Sequence, residues 1–215
     1  VAFTRRSSTL DRVFRVLVLL EFEVRCLAGD SELQLKCFVD EASSQEAVGS
    51  KSLLAMSKVA SSVFSRRLAI HCLQRYLRVF VGARGAADYS QCAVAYREIV
   101  ALHTSRNESF AVYEGILHLL SGGGGGSAVA EQLGSAALLP EVISSDCAHL
   151  YPKEEIAWLV ATAWNNGCHF YRLQQYKWCE RWMGKSLALE RFCSGIFPKE
   201  QMIKSYMECL QQCSA

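Results

Sequence analysis

Proline is scarce in this chain, with three residues in 215, at positions 140, 152 and 198. Proline interrupts helices and punctuates all-β chains at their turns, so its scarcity favours long helices over many short strands. Long apolar runs are missing too. The longest run of large aliphatic residues is Val16–Leu20, far short of the roughly 20 residues a membrane-spanning helix needs. No membrane association is expected, and no cleavable signal peptide is visible. Val1 stands where an initiator methionine would, so the chain is read as a fragment of a longer protein.

Catalytic signatures are also lacking. No H-E-x-x-H, G-x-S-x-G or G-x-G-x-x-G occurs, which removes the usual signals for zinc proteases, serine hydrolases and dinucleotide enzymes. Gly184-Lys185-Ser186 resembles the end of a phosphate-binding loop, but that motif needs glycine where Cys179 stands, and it needs a preceding strand. Cys168 and His169 are adjacent, so on a helix their side chains diverge by about 100° and do not pair as nucleophile and base. Glu154 and Glu155 complement a helix N-terminus rather than forming an acid–base pair. No enzyme, cofactor or small-molecule substrate is expected.

Cysteine, by contrast, is plentiful. The ten residues show neither a C-x-x-C pair nor ligand spacing with the five histidines. Most fall on apolar stripes, where a free thiol acts as a small hydrophobe. Reduced, buried thiols are expected rather than a disulfide framework or a zinc site.

The net charge of +2 hides an asymmetry. Residues 64–106 carry seven arginines against Asp88 and Glu98, and residues 107–150 carry five acids without Lys or Arg. Neighbouring helices attracting each other across a groove would explain both blocks. An acidic partner or DNA is the sharper reading, but the arginine block lacks interleaved exposed aromatics and direct nucleic-acid binding is not expected.

Apolar spacing of three and four predicts helices through most of the chain. A first runs from Ser8 or Thr9 to about Leu27, with Leu10, Val13, Phe14, Leu17, Leu20 and Val24 expected inward. A second runs from Asp30 or Ser31 to about Ala42 on Leu33, Cys37 and Phe38. A third covers about Gln45–Val63 and a fourth Ser65 to about Val81. A fifth follows Asp88 with Cys92, Tyr96, Ile99 and Val100, and a sixth begins at Asn107 or Ser109 and ends at Leu120. Residues 121–127, SGGGGGS, lose too much entropy on ordering to form helix or strand, and read as a flexible loop or a linker. A weak helix is expected over 128–148. A last helix runs from Pro198 to about Cys213 on Ile203, Met207 and Leu210.

The most informative stretch is 152–193, which holds all four tryptophans. Ile156, Leu159, Val160, Ala163, Trp164, Gly167, Phe170 and Tyr171 form one stripe of a helix. A polar break at Gln174-Gln175 precedes a second helix over about Tyr176–Phe192. This second helix is apolar on two faces, one with Tyr176, Cys179, Met183 and Leu187, the other with Trp178, Trp182 and Leu189. It must therefore be covered from two sides, as in stacked helical hairpins. Placing Tyr176 after the turn puts Gly167, Phe170, Cys179 and Ser186 at the small and aromatic positions of the tetratricopeptide (TPR) pattern. Tyr89 and Cys92 repeat the Tyr-x-x-Cys spacing of Tyr176 and Cys179. The expected fold is all-α, a TPR-like α-solenoid of stacked antiparallel hairpins extending over 1–215 as a single segment.

The run EEIAWLVATAWNNG with CERWMGKSLAL resembles the C-terminal region of a family of meiotic TPR proteins. These are the "Zip-four" or sporulation-specific proteins of the ZMM crossover group, with a testis-expressed counterpart in mammals. Glu154, Glu155, Trp158, Leu159, Ala163, Trp164, Asn165 and Gly167 carry the resemblance. It implies a non-enzymatic scaffold in the nucleus, on meiotic chromosomes, that binds other crossover and synapsis proteins. A generic TPR adaptor outside meiosis, serving a chaperone or transport complex, is the alternative. Trp158, Trp178 and Trp182 are the candidate partner-binding residues, with packing between repeats as their other reading. Trp164 is assigned to the core.

Overall fold

The computed structural model describes residues 2–63, 65–82, 89–121 and 151–214, with side chains omitted at 2–8, 81–82 and 214. The described residues are about 84% helix, with no strand among them. The sequence suggests one continuous segment; the residues group into two compact units, Val1–Ala87 and Asp88–Ala215. The expected helix over 128–148 and nearly all of the glycine-rich stretch lie outside the described residues.

The first unit contains α1 (Ala2–Ala28), α2 (Glu32–Ser44), α3 (Gly49–Ser62) and α4 (Arg66–Gly82). Gly29, at φ 80°, closes α1 in the left-handed conformation glycine adopts without penalty. Ser31 then opens α2 with a capping box, accepting from the Gln34 amide while the Gln34 side chain returns to the Ser31 amide. The α1–α2 hairpin packs on the α3–α4 hairpin, α1 against α3 and α2 against α4. Leu53, Met56, Leu68, Cys72, Leu73 and Tyr76 are buried in this unit. Asp40 of α2 ties the second pair together. It receives His71 Nε2 at 2.6 Å and Arg75 Nε at 2.5 Å, both from α4.

Most residues of two expected inward stripes face solvent, although Phe38 of the second is half-buried against Phe22. Leu10, Val13, Leu17, Leu20 and Val24 of α1 are 50–70% exposed, and Phe14 is at the solvent boundary. Val18 and Phe22 are the residues α1 buries, Phe22 stacking on Phe38 at 6.0 Å. In α2, Leu33 and Cys37 face out, while Leu35, Val39 and Ala42 face in. Both helices carry apolar residues on more than one face, and periodicity locates stripes without saying which one a neighbour covers.

The second unit contains α5 (Tyr89–Leu102), α6 (Arg106–Leu120), α7 (Lys153–Arg172), α8 (Tyr176–Glu190) and α9 (Lys199–Ser214). Ser105 caps α6 by accepting from the Asn107 and Glu108 amides, so the helix starts slightly earlier than the expected Asn107 or Ser109. Here too hairpins lie on one another, α5 against α7 and α6 against α8, and α9 covers a further side of α8. On α9 the expected inward residues Ile203 and Met207 are largely exposed; Met202 and Cys209 are buried instead. Cys209 Sγ lies 3.0 Å from Cys179 Sγ, so the contact with α8 selects the face one position away from the more aliphatic stripe.

Candidate interaction surfaces

The α7–α8 hairpin makes the most extensive helix–helix contact among the described residues of the second unit. Its helices approach closely at Gly167: a Cβ placed there would lie 2.6 Å from Met183 Cγ, 3.3 Å from Met183 N and 3.5 Å from Cys179 O. Ser186, fully buried, donates its hydroxyl to the Val160 carbonyl at 2.9 Å. The small residues at 167, 179 and 186 therefore lie where the helices touch. The turn uses Gln174 at φ 59°, with the Gln174 and Gln175 amides donating to the Tyr171 and Phe170 carbonyls at 2.9 Å.

The three candidate tryptophans have separate environments. Trp182 is fully buried, in edge-on contact with Phe110 at 5.1 Å and Tyr113 at 5.0 Å on α6. It is a packing residue between hairpins and offers no surface for a partner, because α6 lies over this side of α8. Trp178, one turn earlier, is half-buried. It stacks on Phe170 at 6.0 Å and carries the exposed Arg181 guanidinium 4.5 Å above its ring, which also lies 4.5 Å from Phe110. Trp158 is half-buried on α7 beneath the Arg97 guanidinium of α5, 4.7 Å from the ring centroid, and Arg97 also pairs with Glu155 at 2.9 Å. The structure thus gives two cation-topped aromatic sites, at Trp158 and Trp178, on different helix pairs, and does not bring them together.

Trp164 departs from its core assignment. It is half-buried and forms one wall of an open groove of about 240 Å³, with Val160 and Asn165 on α7 and Phe197, Pro198 and Met202 before and on α9. Periodicity missed this groove because its far wall comes from residues almost 40 positions away, whose placement depends on how α9 docks.

Charge is also distributed differently from expectation. Arg97 pairs with Glu155, and Glu114 pairs with Lys185 of α8 at 3.1 Å. Arg97 and Glu114 thus find partners outside the two blocks, while Glu108 lies 3.5 Å from His103, just before α6. Among the described residues, no group of three or more His, Cys, Asp or Glu side chains is placed to hold a metal ion, and no helix is long and apolar enough to cross a membrane. Burial pushes the thiols of Cys72 (up to about 12) and Cys179, and the hydroxyls of Tyr96 and Tyr151, upward, so these groups stay neutral and act as packing atoms. Nine cysteines are free thiols, five of them buried, while Cys147 lies outside the described residues. No protein-family model matches the chain, and no solved structure shows significant similarity to it.

Proposed function

We propose that the protein is a TPR-like protein–protein interaction scaffold of meiosis, supporting chromosome synapsis and crossover formation in the nucleus. The carrying observation is the 152–193 stretch: the residues that resemble the meiotic family fold into one hairpin whose small position, Gly167, lies at the closest approach of its helices. Within each unit, first helices lie on first helices and second on second, the contact pattern expected of stacked repeats. The partners are other crossover and synapsis proteins. Trp158 and Trp178 are the anchors retained from the sequence, since an aromatic half-covered by an arginine offers an apolar face and a charged rim to a partner segment.

The test is localisation of the full-length protein on chromosome spreads of meiotic cells, together with recovery of defined synapsis proteins. Foci along synapsing axes, weakened by Trp158→Ala or Trp178→Ala in a normally folded chain, support the reading. Equal abundance in non-meiotic cells with diffuse staining would leave a generic adaptor as the better description.

A further inference from the structure

The outward stripe of α1 has a regular pattern. Leu10, Val13, Leu17, Leu20, Val24 and Leu27 follow one another at steps of three and four, and each is 50–73% exposed. A strict alternation of three and four is the seam of a two-stranded coiled coil, narrower than the stripe by which a helix packs on a globular core. The globular packing of α1 is made separately, by Val18 and Phe22 on the opposite side. The helix therefore carries one face for its own unit and a second face that no described residue covers.

We infer that this second face pairs with the same face of another copy of the chain, as an antiparallel two-stranded coiled coil with its two-fold axis between residues 18 and 19. The seam reads Leu-Val-Leu-Leu-Val-Leu, which is the same in either direction. Antiparallel apposition then sets Leu10 against Leu27, Val13 against Val24 and Leu17 against Leu20, leucine on leucine and valine on valine in every layer. An isologous interface requires this kind of self-match. Arg12 and Arg15 lie off this seam, and Arg15 Nε donates to the Ala47 carbonyl of its own unit at 2.6 Å, so the direction rests on the self-matching order of the seam and not on charge. From Leu10 to Leu27 the seam is about 25 Å long. Its apolar area is roughly 600 Å² per copy, close to the roughly 800 Å² each partner contributes to a standard interface.

The experiment is sedimentation equilibrium of the 215-residue chain under reducing conditions, up to about 100 µM, well above the micromolar range in which modest interfaces dissociate. A mass that doubles with concentration is expected. Leu17→Glu, which removes no core residue, should weaken association by at least ~100-fold, because each dimer loses two leucine contacts and gains two carboxylates in its central layers. Val94→Glu, at an exposed valine of the second unit, should leave association unchanged. Benzoylphenylalanine in place of Leu27 should photo-crosslink to the partner's peptide around residue 10. A chain that stays monomeric throughout, a dimer indifferent to Leu17→Glu, or a crosslink from residue 27 to residue 27 would overturn the inference.

Discussion

Gly167 and Gly184 lie in the interiors of α7 and α8, and replacing each by alanine should move stability in opposite directions. Helix propensity alone favours alanine over glycine by about 1 kcal/mol at an interior site. At Gly184 nothing opposes that gain, since the nearest atom to a new Cβ is Tyr206 Oη at 3.6 Å, an ordinary contact. Gly184→Ala should therefore stabilise by up to about 1 kcal/mol. At Gly167 the new methyl would fall 2.6 Å from Met183 Cγ and 3.3 Å from the Met183 amide nitrogen. The methionine side chain is buried and has little room to swing, and the backbone of α8 has less. Overpacking of this kind costs about 1–3 kcal/mol, which outweighs the propensity term and leaves Gly167→Ala destabilised by about 1 kcal/mol. Thermal unfolding followed by circular dichroism should show each midpoint shifted by about 2–4 °C from the parent, in opposite directions, for a chain of this size. Met183→Ala removes the clashing Cγ, so Gly167→Ala should cost less in that background; a double-mutant cycle should return a coupling of about 1 kcal/mol. If Gly167→Ala stabilised as much as Gly184→Ala, the close approach of α7 and α8 would be refuted.

The remaining predictions concern other sites. Trp182→Ala should cost about 3–5 kcal/mol by denaturant unfolding, because an indole packed on Phe110 and Tyr113 leaves a cavity that surrounding helices fill poorly; Trp178→Ala should cost clearly less. Gln174→Gly should stabilise by roughly 0.5–1 kcal/mol, since the turn holds a non-glycine residue at φ 59°. For Asp40, burial works against ionisation, but hydrogen bonds from Arg75 and His71 outweigh it and hold the carboxyl below its ordinary value. Its stabilising contribution is present above the unfolded pKa of about 4 and is lost as pH falls through the lower folded value. Discounting for its partial exposure, Asp40→Asn should cost about 1 kcal/mol at pH 7 and progressively less as pH falls below about 4. Maleimide at pH 8 should label exposed Cys37 rapidly and buried Cys72 and Cys179 only after unfolding, as mass spectrometry of the labelled peptides would show.

The sequence by itself determined that the described chain is helical, and in several places where its helices begin and end. Turn chemistry and three–four spacing are local: Gly29 and Ser31 mark the α1–α2 junction, and Gln174-Gln175 marks the α7–α8 turn. The same locality made Gly167, Cys179 and Ser186 legible as contact positions, since all three belong to one hairpin. What only the tertiary structure decided was which apolar face a neighbour covers. Where a helix offers more than one stripe, burial depends on residues far along the chain, so α1 turned Phe22 inward and its leucine–valine seam outward, and α9 chose Met202 and Cys209 over Ile203 and Met207. The same cause separated the tryptophans. Trp182 was sealed by α6, Trp158 and Trp178 were half-covered by arginines, and Trp164 became a groove wall only when the residues around Pro198 came to face it.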